Sequence, residues 1–144
     1  RIETLKILQH WVDIYMPDIK YWKRETAQKY SNAPNYPEVA QQAIKEMHRQ
    51  VGDLMLSSEG IAQRGLLVRH LVIPNLLDET KEILKWVAEN ISKDTYINIM
   101  DQYRPTYKVP YEPKFIDINR RLTRQEYEKS IELAKEYGLW RFAD

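Results

Sequence analysis

Apolar residues change their period along this chain, and each change marks an element. Residues 65–75, Gly-Leu-Leu-Val-Arg-His-Leu-Val-Ile-Pro-Asn, are almost continuously apolar. Leu66, Leu67, Val68, Leu71, Val72 and Ile73 therefore read as a strand buried on both faces, the pattern of a parallel sheet between helices. Pro74 stops it. Upstream, Ile2, Leu5, Leu8 and Val12 fall at helical spacing, so residues 2–10 predict a helix tail feeding a strand over 12–16. Residues 22–30 predict a short helix. Pro37 suits the first turn of a longer helix, 38–51, with Val39, Ala43, Ile44 and Met47 inward and Gly52 as its stop. Residues 53–56, the turn Ser57-Ser-Glu-Gly60 and residues 61–64 predict a small hairpin. Residues 78–90 carry Ile83, Leu84, Trp86 and Val87 on one helical face, and 96–100 read as a third core strand. A proline-interrupted loop follows over 106–119. Thr123, with Glu126 three residues later, is a capping box opening a last helix that ends at Gly138.

The order strand, helices, strand, helix, strand, loop, helix predicts an α/β fold of about three parallel strands, a small hairpin and flanking helices, joined by right-handed crossovers. In such folds ligands sit at the C-terminal ends of the strands. Asp18 and Lys20, Pro74 and Asn75, and residues 101–103 all lie at those ends.

Composition narrows the classes further. At 144 residues the chain is one domain or less, and a net charge of +1 favours neither nucleic acid nor an anionic membrane. No apolar run approaches the roughly 20 residues needed to span a bilayer, and the expected compartment is cytoplasmic. With no cysteines and only three scattered histidines, no metal site is expected within the chain. The chain opens on Arg1 directly into helix-like sequence, which leads us to expect a piece of a longer polypeptide. Its tyrosines and tryptophans are spread along helices rather than interleaved in a basic patch, so packing explains them better than base stacking.

Candidate chemistry gathers in three places. Asp18 and Lys20 stand two apart, so in an extended segment their side chains share a side. The lysine can then offer an ammonium to a substrate carboxylate while the aspartate holds it, or the two form a solvated ion pair of little worth. Arg69 and His70 must point to opposite faces of their strand. A guanidinium is costly to bury unpaired, so Arg69 should meet an anion or lie near a strand end, whereas His70 reads more readily as a satisfied core residue. His10 and His48 lie in helical sequence, where packing or surface roles are expected.

The motifs Val12-Asp-Ile-Tyr-Met-Pro-Asp-Ile-Lys-Tyr21, residues 65–75 and Tyr96-Ile-Asn-Ile-Met-Asp-Gln-Tyr-Arg-Pro105 resemble the C-terminal half of a radical S-adenosylmethionine protein of the pyruvate formate-lyase-activating-enzyme-like family. The resemblance covers nearly the whole chain. It implies the C-terminal part of an incomplete (β/α)6 TIM-like barrel, with residues 1–144 forming the C-terminal portion of a radical SAM domain. Asp18 and Lys20 match the family's Asp-x-Lys strand end, where the lysine holds the methionyl end of S-adenosylmethionine. Arg69 matches an arginine that also faces the cofactor, and Asp101 and Gln102 lie where the last strand approaches the adenosine, a looser match. The CxxxCxxC loop that holds the family's 4Fe-4S cluster has no counterpart here. The expectation is therefore an inactive fragment without catalytic residues or metal of its own. Its parent would cleave S-adenosylmethionine reductively and generate a glycyl radical on a partner protein. An alternative from another class is a non-catalytic α/β module that binds a small anionic metabolite at the same strand ends. Strand 12–16 would be an exposed edge, through which dimers are expected.

Overall fold

A computed structural model describes residues 1–143. The elements run α1 (Ile2–Ile7), β1 (Ile14–Tyr15), α2 (Arg24–Ser31), α3 (Tyr36–Val51), β2 (Met55–Leu56), β3 (Ala62–Leu71), α4 (Leu77–Asn90), β4 (Tyr96–Met100), a 3-10 turn (Pro113–Ile118), α5 (Arg124–Glu136) and β5 (Arg141–Phe142). Strands β1, β3, β4 and β5 lie side by side in chain order, all parallel, and β2 pairs antiparallel with the start of β3. The fold is α/β around a parallel sheet. The hairpin and the apolar run merge: residues 62–64 and 65–71 form one ten-residue strand that pairs first with β2 and then with β4.

Gly65 marks the change of partner. Its φ is +125°, and a Cβ there would sit 2.4 Å from the Asp53 carbonyl oxygen, so the passing chain leaves room only for hydrogen. Above it, the pairs Val68–Ile97 and His70–Ile99 share one face, while Leu67–Tyr96, Arg69–Asn98 and Leu71–Met100 share the other. The first face is the core. Leu66, Val68, Ile97 and Ile99 pack with Tyr15, Ile44 of α3, Ile83, Leu84 and Val87 of α4, and Leu133 and Ala134 of α5.

The expectation of a strand buried on both faces holds for this side alone. On the other, Leu67, Leu71 and Met100 are half-buried and Ile14 and Met16 exposed, because among the described residues no helical layer covers them. Three further departures have local causes. Helix α1 ends at Ile7, and His10 sits in a turn with φ +74° rather than in a helix. The 106–119 loop contains the 3-10 turn, whose Phe115 and Ile118 are buried against Tyr21 and Ile73. Strand β5, a fourth parallel strand, is only two residues long and carries no periodic signal of its own. The capping box forms as expected, with Thr123 and Glu126 exchanging hydrogen bonds. No helix among the described residues is long and apolar enough to cross a membrane.

Candidate functional site at the strand ends

Pairing between the first strand and β3 resumes beyond Pro17. The Arg69 amide donates to the Pro17 carbonyl and the Ile19 amide to the Arg69 carbonyl, both at 2.9 Å, with Asp18 opposite Arg69. This register sets the site. Ile19, fully buried, goes to the helix face beside His70, so Asp18 must go to the open face beside Arg69. There Arg69 Nε donates to Asp18 Oδ1 at 2.7 Å, and Lys20 Nζ lies 3.5 Å from Asp18 Oδ2. One carboxylate thus holds two cations, each about one-third exposed. Pairs this exposed contribute about 1 kcal/mol or less to stability, so their importance is arrangement.

Asp18, Lys20 and Arg69 line a cleft of about 440 Å³ together with Gln102, Tyr103 and Arg104 from the segment after β4. Asp101 does not reach this cleft. It lines an adjoining cavity with Arg69 and Gln102, against Tyr127 and Lys135 of α5. The structure therefore gathers Asp18, Lys20, Arg69 and Gln102, and sets Asp101 one step away.

Two residues without a chemical signature in the sequence hold the chain in and just after the Asp18–Lys20 segment. Tyr36, in the first turn of α3, accepts from the Lys20 amide at 3.0 Å and donates to the Asp18 carbonyl at 3.2 Å. Burial pushes its phenol up to about 12, opposed by the Lys20 amide, so it keeps the proton it donates. Glu79 of α4, only 2% exposed, accepts from the Trp22 amide at 2.7 Å, the Lys23 amide at 3.0 Å and the Thr26 hydroxyl. It caps α2 from another helix, which explains why α2 begins at Arg24 rather than at Trp22. Nothing but the spacing of later tertiary contacts could have pointed to either residue.

His70 has no access to the cleft. It is 1% exposed, its Nδ1 donates to the Ile19 carbonyl at 2.7 Å, and Nε2 accepts from the Thr80 hydroxyl at 2.9 Å. Burial lowers its pKa to about 4, so the ring is neutral and structural. His48, near the opposite end of the sheet, faces Asp53 at 3.0 Å. Among the described residues no three His, Asp or Glu side chains come together as a metal-binding group.

The chain is 37% identical over 139 residues to the uncharacterized protein MJ0674 of Methanocaldococcus jannaschii. No protein-family model matches it, and no solved structure does. The alignment takes in 96% of this chain and 36% of that protein, so the chain spans about a third of the length of the curated relative to which it is similar.

Proposed function

We propose that this chain is the C-terminal part of a radical S-adenosylmethionine barrel, and that the strand-end cluster holds the methionyl end of the cofactor. The observation that carries the reading is the shared carboxylate: Asp18 fixes Lys20 and Arg69 side by side at the C-terminal end of a parallel sheet. Two cations gathered on one carboxylate can together attract the carboxylate of a ligand, and the fork of Arg69 suits a bidentate partner. The winding supports the barrel. Strands follow chain order, and α3, α4 and α5 pack on one face only, whereas a doubly wound sheet would carry helices on both. The open face, with Leu67, Leu71 and Met100, is the side a barrel would turn inward.

The residues present fit one of the two implied groups. Lys20 and Arg69 suit the cofactor's carboxylate, and Gln102 borders the same cleft, where an adenosine could be met by an amide. They do not fit an iron–sulfur cluster, since the chain has no cysteine to supply thiolates. Held by Lys20 and Arg69, S-adenosylmethionine would supply radical chemistry to the whole protein, with the iron–sulfur cluster it needs ligated by residues other than these. This chain's part is to bind and orient. Asp18 positions the two cations, Tyr36 fixes the segment that carries Lys20, and Lys20 and Arg69 meet the cofactor's carboxylate.

The test is an equilibrium titration of S-adenosylmethionine into the full-length polypeptide. Replacing Lys20 by Ala removes one charge-assisted contact, about 1.5–3 kcal/mol, so affinity should fall roughly tenfold to a hundredfold. Unchanged affinity would leave Lys20 as a surface ion pair and remove the basis of this reading. The 144-residue chain alone, reconstituted anaerobically with iron and sulfide, should retain no stoichiometric iron and release no 5′-deoxyadenosine.

A further inference from the structure

The strand-end cleft carries more positive charge than its cofactor role would use. Lys20, Arg69 and Arg104 all line it, against the single carboxylate of Asp18. Asp18 is already shared by Lys20 and Arg69, and Arg104 meets no carboxylate among the described residues. The backbone around Arg104 is restrained on both sides. Pro105 confines the residue before it to extended conformations, and the Tyr103 hydroxyl donates to the Ile118 carbonyl at 3.0 Å, tying the segment to the 3-10 turn. Arg104 and Thr106, whose hydroxyl is a second donor, are both exposed and line the same cleft.

We propose that Arg104 and Thr106 form a second anion station, which recognises a carboxylate or phosphate group on a small-molecule reactant bound beside the cofactor. That this anion belongs to a second reactant rests on the cofactor occupying Lys20 and Arg69. A volume of about 440 Å³ suits a small molecule. A glycine of a partner backbone brings no charge and would leave Arg104 without a counter-ion. An arginine fork satisfied by a planar oxyanion gains two parallel hydrogen bonds that water cannot match in geometry. The station therefore selects for an anionic substituent and against neutral analogues.

The probes are malonate and inorganic phosphate, titrated calorimetrically into the full-length protein with and without saturating S-adenosylmethionine. At least one should bind in both conditions, and which one does so separates a carboxylate-bearing from a phosphate-bearing reactant. Arg104→Gln should weaken that binding about tenfold, whereas Lys81→Gln, an exposed charge on α4 outside the cleft, should not. Arg104→Lys, which keeps the charge but loses the fork, should fall between. The proposal is overturned if neither anion binds, if Arg104→Gln binds as the parent does, or if Lys81→Gln loses as much. It is overturned equally if saturating cofactor abolishes anion binding, for then there is one station and not two. Should Lys20→Ala leave cofactor affinity unchanged while Arg104→Gln still weakens malonate or phosphate binding, the cofactor reading fails and the anion station remains.

Discussion

Acidification should loosen this fold through His70 before any carboxylate contributes. The ring is enclosed, 1% exposed, between the Ile19 carbonyl and the Thr80 hydroxyl, with Glu79 as the nearby charged group. Burial is the dominant influence and lowers its pKa to about 4 from 6.5, with the carbonyl and Glu79 opposing it more weakly. Between those two values the unfolded chain binds a proton that the folded chain excludes, so stability falls as pH falls. The contribution is complete above pH 6.5, declines through the interval and is spent near pH 4. A shift of this size corresponds to about 3 kcal/mol in all, of which about 2 kcal/mol should be lost between pH 7 and pH 5. That is a substantial part of the roughly 5–15 kcal/mol that holds a domain together.

Urea unfolding followed by circular dichroism at half-unit steps from pH 7.5 to 4.5 would read this directly. His70→Asn supplies the control, because its amide can still donate to the Ile19 carbonyl but does not titrate. The variant should be less stable at pH 7, having lost the Thr80 contact, yet nearly flat across the interval where the parent declines. The depressed carboxylates, Glu46 lowered to about 2 by Arg49 and Glu126 lowered by its Arg120 partner, act with the same sign but only below about pH 4.5. A parent curve that is flat from pH 7 to 5, or a slope that survives in His70→Asn, would refute the assignment.

Two further perturbations probe the frame around the site. Gly65→Ala must place a methyl 2.4 Å from the Asp53 carbonyl oxygen at φ +125°, so it should cost about 2–3 kcal/mol or more by chemical denaturation; an unchanged midpoint would refute the close approach of Asp53 and Leu54 to Gly65. Glu79→Ala removes the acceptor of the Trp22 and Lys23 amides and the Thr26 hydroxyl and should cost about 3 kcal/mol, with Glu79→Gln retaining part of it. Amide exchange would show the loss concentrated in α2, and protection of α2 equal to the parent's would argue against the cap.

How much of this was legible in the chain depends on the range of the interaction. Alternation within a strand is local, so the opposite facing of Arg69 and His70, and the common side of Asp18 and Lys20, could be read from residue spacing alone. The Thr123–Glu126 box is likewise written within four residues. Tyr36 was not legible, because its hydroxyl serves a strand end sixteen residues away through the packing of α3, and a tyrosine following a proline-containing loop has no signature of that role. The same holds for Glu79, whose partners lie more than fifty residues upstream and whose place on α4 looks like an ordinary first-turn acid. Leu67 and Leu71 misled for a different reason. An apolar residue in a strand records that its face is to be buried and not by what, so a face covered by this chain's helices and one left half-open read alike. Charge behaves in the opposite way. A lone arginine in a polar segment resembles any solvated cation until the fold sets it beside Lys20 and Arg69 with one carboxylate among the three, and only then does the surplus ask for a ligand.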